Sequence, residues 1–315
     1  MTIGIGDDCA VLEPTAGHRV LATTDLLLED IHFRRRYAAP KDIGWKSMAV
    51  NLSDVAAMGG RPRWALVALA CPHETTLDEV EAFYAGARDL ASRHAVVIVG
   101  GDTTASPAGW LVNVTLLGEA VSPVLRSGAR AGDVIAVTGP LGRSAAGLAV
   151  LERSSAPGGI DAEILADVTS AHLRPMPRVV EGQWLGAAGV VGAMIDLSDG
   201  LATDLGHIAE ESGVHCRVEI ERMPISPATR EVARALGTDA RGWATGGGED
   251  YELLLTCDAR AFDGLSDGLA RMTGLRLHAI GRVTGPGAGV SFVDARGHEV
   301  AAAAGFEHFV TETRR

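Results

Sequence analysis

The sequence predicts an α/β protein of two domains. Three observations carry that expectation. The length, 315 residues, is two ordinary domains at roughly 100–200 residues each. Strand-like and helix-like segments alternate through the first third. A loop-rich exit at Gly118–Pro123 then leads into a second strand–turn–helix unit, so the domains are expected to span 1–122 and 123–315.

Taken in order, Val20–Thr24 reads as a strand ending at Asp25. Asp42 is placed to cap a helix running to Met58, with Trp45, Met48, Ala49, Leu52, Val55 and Ala56 on one stripe. Thr76-x-x-Glu79 is a capping box that opens a second helix, whose inner face is Leu77, Val80, Tyr84, Ala87 and Ala91. Ala95–Val99 is a β-branched buried strand ending in Gly100-Gly101-Asp102, and Leu111–Leu117 is another strand. In the second domain, Asp133–Thr138 is a strand and the turn Gly139–Ser144 enters the helix Ala145–Glu152. That turn either cradles a phosphate on its helix N-terminus or uses its glycines only to turn tightly; the sequence leaves both open. Ser154–Gly159 reads as a loop. Leu52-Ser53-Asp54-x-x-Ala57 is echoed by Leu197-Ser198-Asp199-x-x-Ala202.

Composition removes several classes of function. With 47% hydrophobic and 22% charged residues the chain is globular and not disordered. No apolar run approaches the ~20 residues of a membrane span, and the N-terminus has neither the basic start nor the apolar core of a signal peptide. A net charge of −12 argues against nucleic acid, which is bound through basic patches. Cys9, Cys71, Cys216 and Cys257 lack Cys-x-x-Cys spacing and read as small core residues in a reducing cytoplasm. Of 28 basic residues only Lys41 and Lys46 are lysines. Lys46 follows Trp45, so there is no P-loop, and the protein-kinase motifs are missing too.

Acidic residues recur where strands end or helices begin: Asp7-Asp8, Asp25, Asp54, Asp102, Asp196, Asp199 and Glu249-Asp250. Asp196 and Asp199 share a strand-to-helix junction; capping explains Asp199 and leaves Asp196 without a role. Asp54 falls opposite the Trp45/Leu52/Ala56 stripe, beside Ser47 and Asn51. It lies in the last turn before Gly59-Gly60, where the helix dipole disfavours an anion by ~0.3–1 kcal/mol. A carboxylate there makes sense facing a cation, and oxygen donors without Cys or paired His point to Mg²⁺. Two like charges ~4 Å apart repel by about 4 kcal/mol at an effective dielectric near 20. Such acids therefore meet a polyphosphate only through metal ions. The residues alone reach Mg²⁺-dependent phosphate chemistry, with no substrate named.

Six motifs carry a resemblance. They are Gly4-Ile5-Gly6-Asp7-Asp8-Cys9-Ala10-Val11, Thr23-Thr24-Asp25 with His32-Phe33, and Asn51-Leu52-Ser53-Asp54-Val55-Ala56-Ala57-Met58-Gly59, followed by Gly100-Gly101-Asp102-Thr103-Thr104, Ile195-Asp196-Leu197-Ser198-Asp199-Gly200-Leu201 and Gly247-Gly248-Glu249-Asp250-Tyr251-Glu252-Leu253. In order and extent, residue 4 to about 310, the chain resembles the thiamine-monophosphate kinase family of the aminoimidazole ribonucleotide synthetase-like superfamily. The resemblance implies two α/β domains, with N-terminal domains pairing in a cytoplasmic homodimer. It implies direct in-line transfer of the ATP γ-phosphate to thiamine monophosphate, the last step in making thiamine diphosphate. By the same resemblance Asp8, Thr24, Asp25, Asp54, Asp102, Asp196 and Asp199 hold several Mg²⁺ ions through side-chain or backbone oxygens. Gly101, Asp102, Arg126 and Ser198 contact ATP. His32, Glu249 and Phe306 contact thiamine monophosphate, Phe306 standing where the family more often has Trp or Tyr. No general base is required, because a phosphomonoester with a second pKa of ~6 is largely ionised at pH 7, and transfer then rests on positioning and charge neutralisation. Among rivals, selenophosphate synthetase needs a reactive N-terminal Cys with a Lys nearby, and Cys9 has none. A Mg²⁺–nucleotide sensor on the same fold is the alternative of a different class.

Overall fold

The computed structural model describes residues 4–6, 8–154 and 157–305. The chain divides into two units, Met1–Val124 with Leu173–Gly189 and Leu125–His172 with Val190–Arg315. The segment Leu173–Gly189, counted with the second domain from sequence, thus belongs to the first unit.

The first unit is built on β1 (Arg19–Leu28), β2 (Arg61–Cys71), β3 (Val97–Ala105) and β4 (Leu111–Ala120), in the order β1-β4-β2-β3. β4 runs antiparallel to β1 and β2, while β2 and β3 are parallel. A parallel pair needs a crossover, and the helix between them, Leu77–Arg93, supplies it. With α1 (Pro40–Ala57) preceding it in the chain, that crossover helix is α2. Alternation along β4 buries Val112, Val114 and Leu116 on the helix-covered face. On the other face Val20, Leu26 and Leu66 stay 50%, 46% and 38% exposed.

Several boundaries differ from the sequence reading, each for a tertiary reason. β1 does not stop at Asp25 but continues to Leu28, because β4 pairs with it over the whole length. β3 passes through Gly100-Gly101-Asp102 because β2 pairs with those residues, Ala68 standing opposite Asp102. Asp42 is not the cap of α1: Ala39 holds that position with Pro at the helix start, where a missing N–H costs nothing. Asp42 pairs with Arg174 instead. The capping box at Thr76 and Glu79 is formed. The inner face of α2 is Phe83, Gly86, Ala87, Leu90 and Ala91, while Leu77, at its exposed first position, is 71% exposed. α1 is buried nearly all round, Ser47, Asn51 and Ser53 included, since it packs on the sheet, on α2 and on the helix Val179–Ala187.

In the second unit β5 (Val134–Val137), β6 (Val191–Asp196), β7 (Val214–Glu219), β8 (Leu253–Cys257), β9 (His278–Pro286) and β10 (Gly289–Val293) form one sheet in the order β10-β7-β9-β5-β8-β6. Only the β10–β7 pair is parallel. The helices continue as α3 (Arg143–Leu151), α4 (Ala162–Leu173), α5 (the Val179–Ala187 helix of the first unit), α6 (Leu201–Ser212), α7 (Pro227–Leu236), α8 (Ala240–Gly246) and α9 (Phe262–Thr273). Ile135, Val137, Ile195, Leu205, Ile208, Val218, Leu254 and Ile280 make its main core. Ala146, Val150, Val168 and Val232 form a smaller core among α3, α4 and α7. No helix among the described residues is long and apolar enough to cross a membrane.

Candidate active site

In the first unit Asp25 pairs in register with the buried Val114, which puts it on the face that α1 covers. Asp54 projects from α1 toward the same strand face and accepts the hydroxyl of Thr23. Burial, and then the charge of Asp54, pushes the Asp25 carboxyl up to about 7. Its Oδ2 is buried with no hydrogen-bond partner among the described residues. A buried, unpaired carboxylate oxygen beside a second carboxylate is costly, and the pair fits a divalent cation held by oxygen. Among the described residues no three His, Cys, Asp or Glu side chains gather into a metal-holding group. Two carboxylates completed by water and phosphate oxygens suit Mg²⁺, which seldom sits in an all-protein cage.

In the second unit, two motifs fifty residues apart in sequence lie side by side. The backbone N–H groups of Glu249 and Tyr251 donate to the carbonyls of Ser198 and Leu197 at 2.8 and 2.9 Å, and that of Leu197 to Glu252 at 2.9 Å. Glu249 and Tyr251 adopt φ of +63° and +51°, a left-handed conformation that side chains disfavour. Asp196 is buried at the end of β6. Asp199 does not cap α6 as its position predicts; Gly200 holds the cap position without a side-chain bond. The job passes to Asp204, whose Oδ2 accepts the N–H groups of Asp199 and Gly200 at 3.1 and 3.0 Å. Burial, with the charges of Asp196 and Asp199 behind it, pushes Asp204 up to about 8.

The Gly139–Ser144 turn is resolved in the same loop. Asp250 accepts the N–H of Gly142 at 2.5 Å and of Ser144 at 3.0 Å, so the start of α3 is occupied by the protein's own carboxylate. Burial pushes that carboxyl up to about 7.

The other residues singled out from sequence are placed as follows. Thr24 points to the face opposite Asp25, its hydroxyl bonded among Val114 O, Thr115 Oγ1 and Asn113 Nδ2 at 3.2, 3.0 and 2.9 Å. The structure therefore does not bring that hydroxyl to Asp25 and Asp54. Asp102 is exposed in β3 and accepts the N–H of Thr103 at 2.8 Å. Before it, Gly101 has φ +149°, and a Cβ there would stand 1.8 Å from the Val67 carbonyl. Asp8 and Arg126 are exposed. Nδ1 of His32 accepts the N–H of Leu28 at 3.1 Å, so Nε2 carries the ring proton. Buried Lys46 donates to the carbonyl of His32 at 3.1 Å. Phe306 lies outside the described residues, as does Asp7; Gly305 packs against Thr203 and the Asp199 carbonyl. Sequence reasoning missed Asp204 and His172, and gives Asp250 only as an acidic turn residue. Only Asp204 left a local signal, a carboxylate four residues into a helix that opens on glycine.

The family model described as AIR synthase related protein, N-terminal domain, matches residues 6–120, and its C-terminal domain model matches 130–294. The thiamine-monophosphate kinase of Bacillus subtilis is 39% identical over 256 residues, 81% of this chain and 77% of that one. That of Escherichia coli O157:H7 is 36% identical over 312 residues, 98% of this chain and 92% of that one. The chain belongs to the thiamine-monophosphate kinase family. A solved structure, AaThiL complexed with AMPPCP and TMP, matches with a TM-score of 0.82 at 34% identity, covering 94% of this chain and 89% of that chain. Membership of the thiamine-monophosphate kinase family bears out the resemblance read from the six motifs, and with it the two-domain aminoimidazole ribonucleotide synthetase-like α/β fold. The protein is an enzyme, a kinase of this family.

Proposed function

We propose that the protein transfers the γ-phosphate of ATP to the phosphate of thiamine monophosphate, giving ADP and thiamine diphosphate, as the last step in making that cofactor. The observation that carries the reading is the likeness, over 94% of the chain, to AaThiL complexed with AMPPCP and TMP, an ATP analogue and the acceptor. A phosphate oxygen of thiamine monophosphate attacks the γ-phosphorus in line, and the bond to the ADP oxygen breaks.

Asp25 and Asp54 would hold Mg²⁺ through the pair of carboxylates described above, and the resemblance adds Asp8, Thr24, Asp102, Asp196 and Asp199. Bound Mg²⁺ neutralises phosphate charge that bare carboxylates would repel. Since the Thr24 hydroxyl is engaged on the other sheet face, Thr24 would act through its backbone carbonyl. Gly101, Asp102, Arg126 and Ser198 contact ATP. His32 presents a donor at Nε2 and no basic nitrogen, which suits a substrate that needs no base. Glu249 offers a carboxylate to the cationic thiamine, with Phe306 as apolar platform. The exposed apolar side chains of Val20, Leu26 and Leu66 support pairing of two first units in a homodimer. We place the enzyme in the cytoplasm, without nucleic-acid or membrane partners.

The test is ADP formation from ATP and Mg²⁺, with thiamine diphosphate identified chromatographically. Formation that depends on thiamine monophosphate supports the reading. Folded protein with no such dependence overturns it.

A further inference from the structure

His172 is a buried histidine that phosphate transfer leaves without a task. It lies in the last turn of α4, only 3% exposed, and Ser144 in the first turn of α3 is 1% exposed. The two helices approach closely at Gly147, where a Cβ would stand 2.1 Å from the Val168 carbonyl and 3.2 Å from the His172 Cβ. That approach sets Nδ1 of His172 3.0 Å from Ser144 Oγ and 3.2 Å from Oε2 of Glu249. An ionised carboxylate only accepts. A proton on Nδ1 makes that approach to Glu249 attractive, with the Ser144 hydroxyl as the same nitrogen's other neighbour.

The same corner fixes the backbone that presents Glu249. Its left-handed residue is tied to the Ser198 carbonyl on one side, and the next residue, Asp250, is clamped to the Ser144 N–H on the other. Ser144 thus reaches both members of the Glu249-Asp250 pair, directly through its N–H and through His172 by its hydroxyl. We infer that His172, braced by Ser144, is a positioning residue that holds the Glu249 carboxylate in its binding orientation, an inference that rests on reading Glu249 as a thiamine monophosphate contact. A carboxylate held in place loses less side-chain freedom when the cationic substrate arrives.

The experiment compares His172→Leu, which removes the donor, with His172→Asn, whose amide stands where Nδ1 was, and with Ser144→Ala. Both Michaelis constants, kcat and melting temperature are measured on the full chain. His172→Leu is expected to raise the thiamine monophosphate KM about tenfold, the scale of one charge-assisted hydrogen bond, with the ATP KM unchanged. His172→Asn should restore most of the loss, and Ser144→Ala should shift the same constant by less. Should the leucine variant fail to fold, His172→Gln, which carries its amide near the Nε2 position, replaces it. Equal behaviour of the donor-keeping and donor-lacking variants overturns the inference, as does a parallel rise in both Michaelis constants. A failure of the underlying reading is separate: the unaltered enzyme would then show no activity dependent on thiamine monophosphate.

Discussion

Asp250 accepts the backbone N–H of Ser144 at 3.0 Å across 106 residues of chain. A helix start with an aligned dipole is a ready anion site, and here the protein fills it internally. Asp250→Ala should lower unfolding free energy by about 1–2 kcal/mol, the scale of a lost cap, with Asp250→Asn recovering part. Urea melts decide it; an alanine variant as stable as the unaltered chain would show the cap to be idle.

Stability without divalent cations should fall as pH rises. Asp25, Asp204 and Asp250 are pushed from 3.8 to about 7, 8 and 7, by burial first in each case. The folded chain therefore keeps protons that the unfolded chain gives up above about pH 4. Their stabilising effect is complete below that pH and is lost through pH 7–8. The melting temperature should drop between pH 5 and pH 8.5, and Asp204→Asn should flatten the slope. A melting temperature that climbs over this range contradicts the three assignments.

Asp54→Asn and Asp199→Asn should each cost ~10²–10³ in turnover while leaving the protein folded. Asp54 bonds Thr23 and borders the unpaired Asp25 oxygen, so its charge serves a ligand more than the core. Near-normal turnover by either folded variant at ordinary Mg²⁺ would remove that residue from the machinery.

The pH–rate profile should follow only the second ionisation of the substrate phosphate, near 6, and stay flat to about pH 9. With Nδ1 of His32 accepting the Leu28 N–H, this histidine holds a proton and offers no base. A further group controlling kcat after correction for substrate ionisation would make His32 a candidate base and require a different mechanism.

Local signals were legible in the sequence. The Thr76–Glu79 box, the β5–turn–α3 passage and the acidic turns all depend on residues within a few positions of one another. What stayed hidden depends on distant partners. Asp250 reads as one more acidic turn residue until α3 is beside it, and His172 reads as an ordinary helical histidine until Gly147 brings α4 close. The Gly100-Gly101-Asp102 stretch looked like a strand end because glycine is a breaker by itself; pairing with β2 overrides that preference. The facing of Thr24 away from Asp25 follows from period-two alternation, once the strand is known to continue through both.

The helix α5 is needed by the first unit but encoded after the opening segment of the second, Leu125–His172. It packs on α1, with Gly182 against the Ala56 carbonyl. At ~5–20 residues per second of synthesis, the ribosome finishes Gly189 roughly 3–13 s after Val124. During that interval the surface of α1 that awaits α5 is uncovered on the nascent chain. Domain-by-domain maturation is therefore closed to this protein: the first unit can settle only after the chain has passed through the opening segment of the second, so a fragment ending at Val124 should emerge as a client for chaperones and not as a finished module.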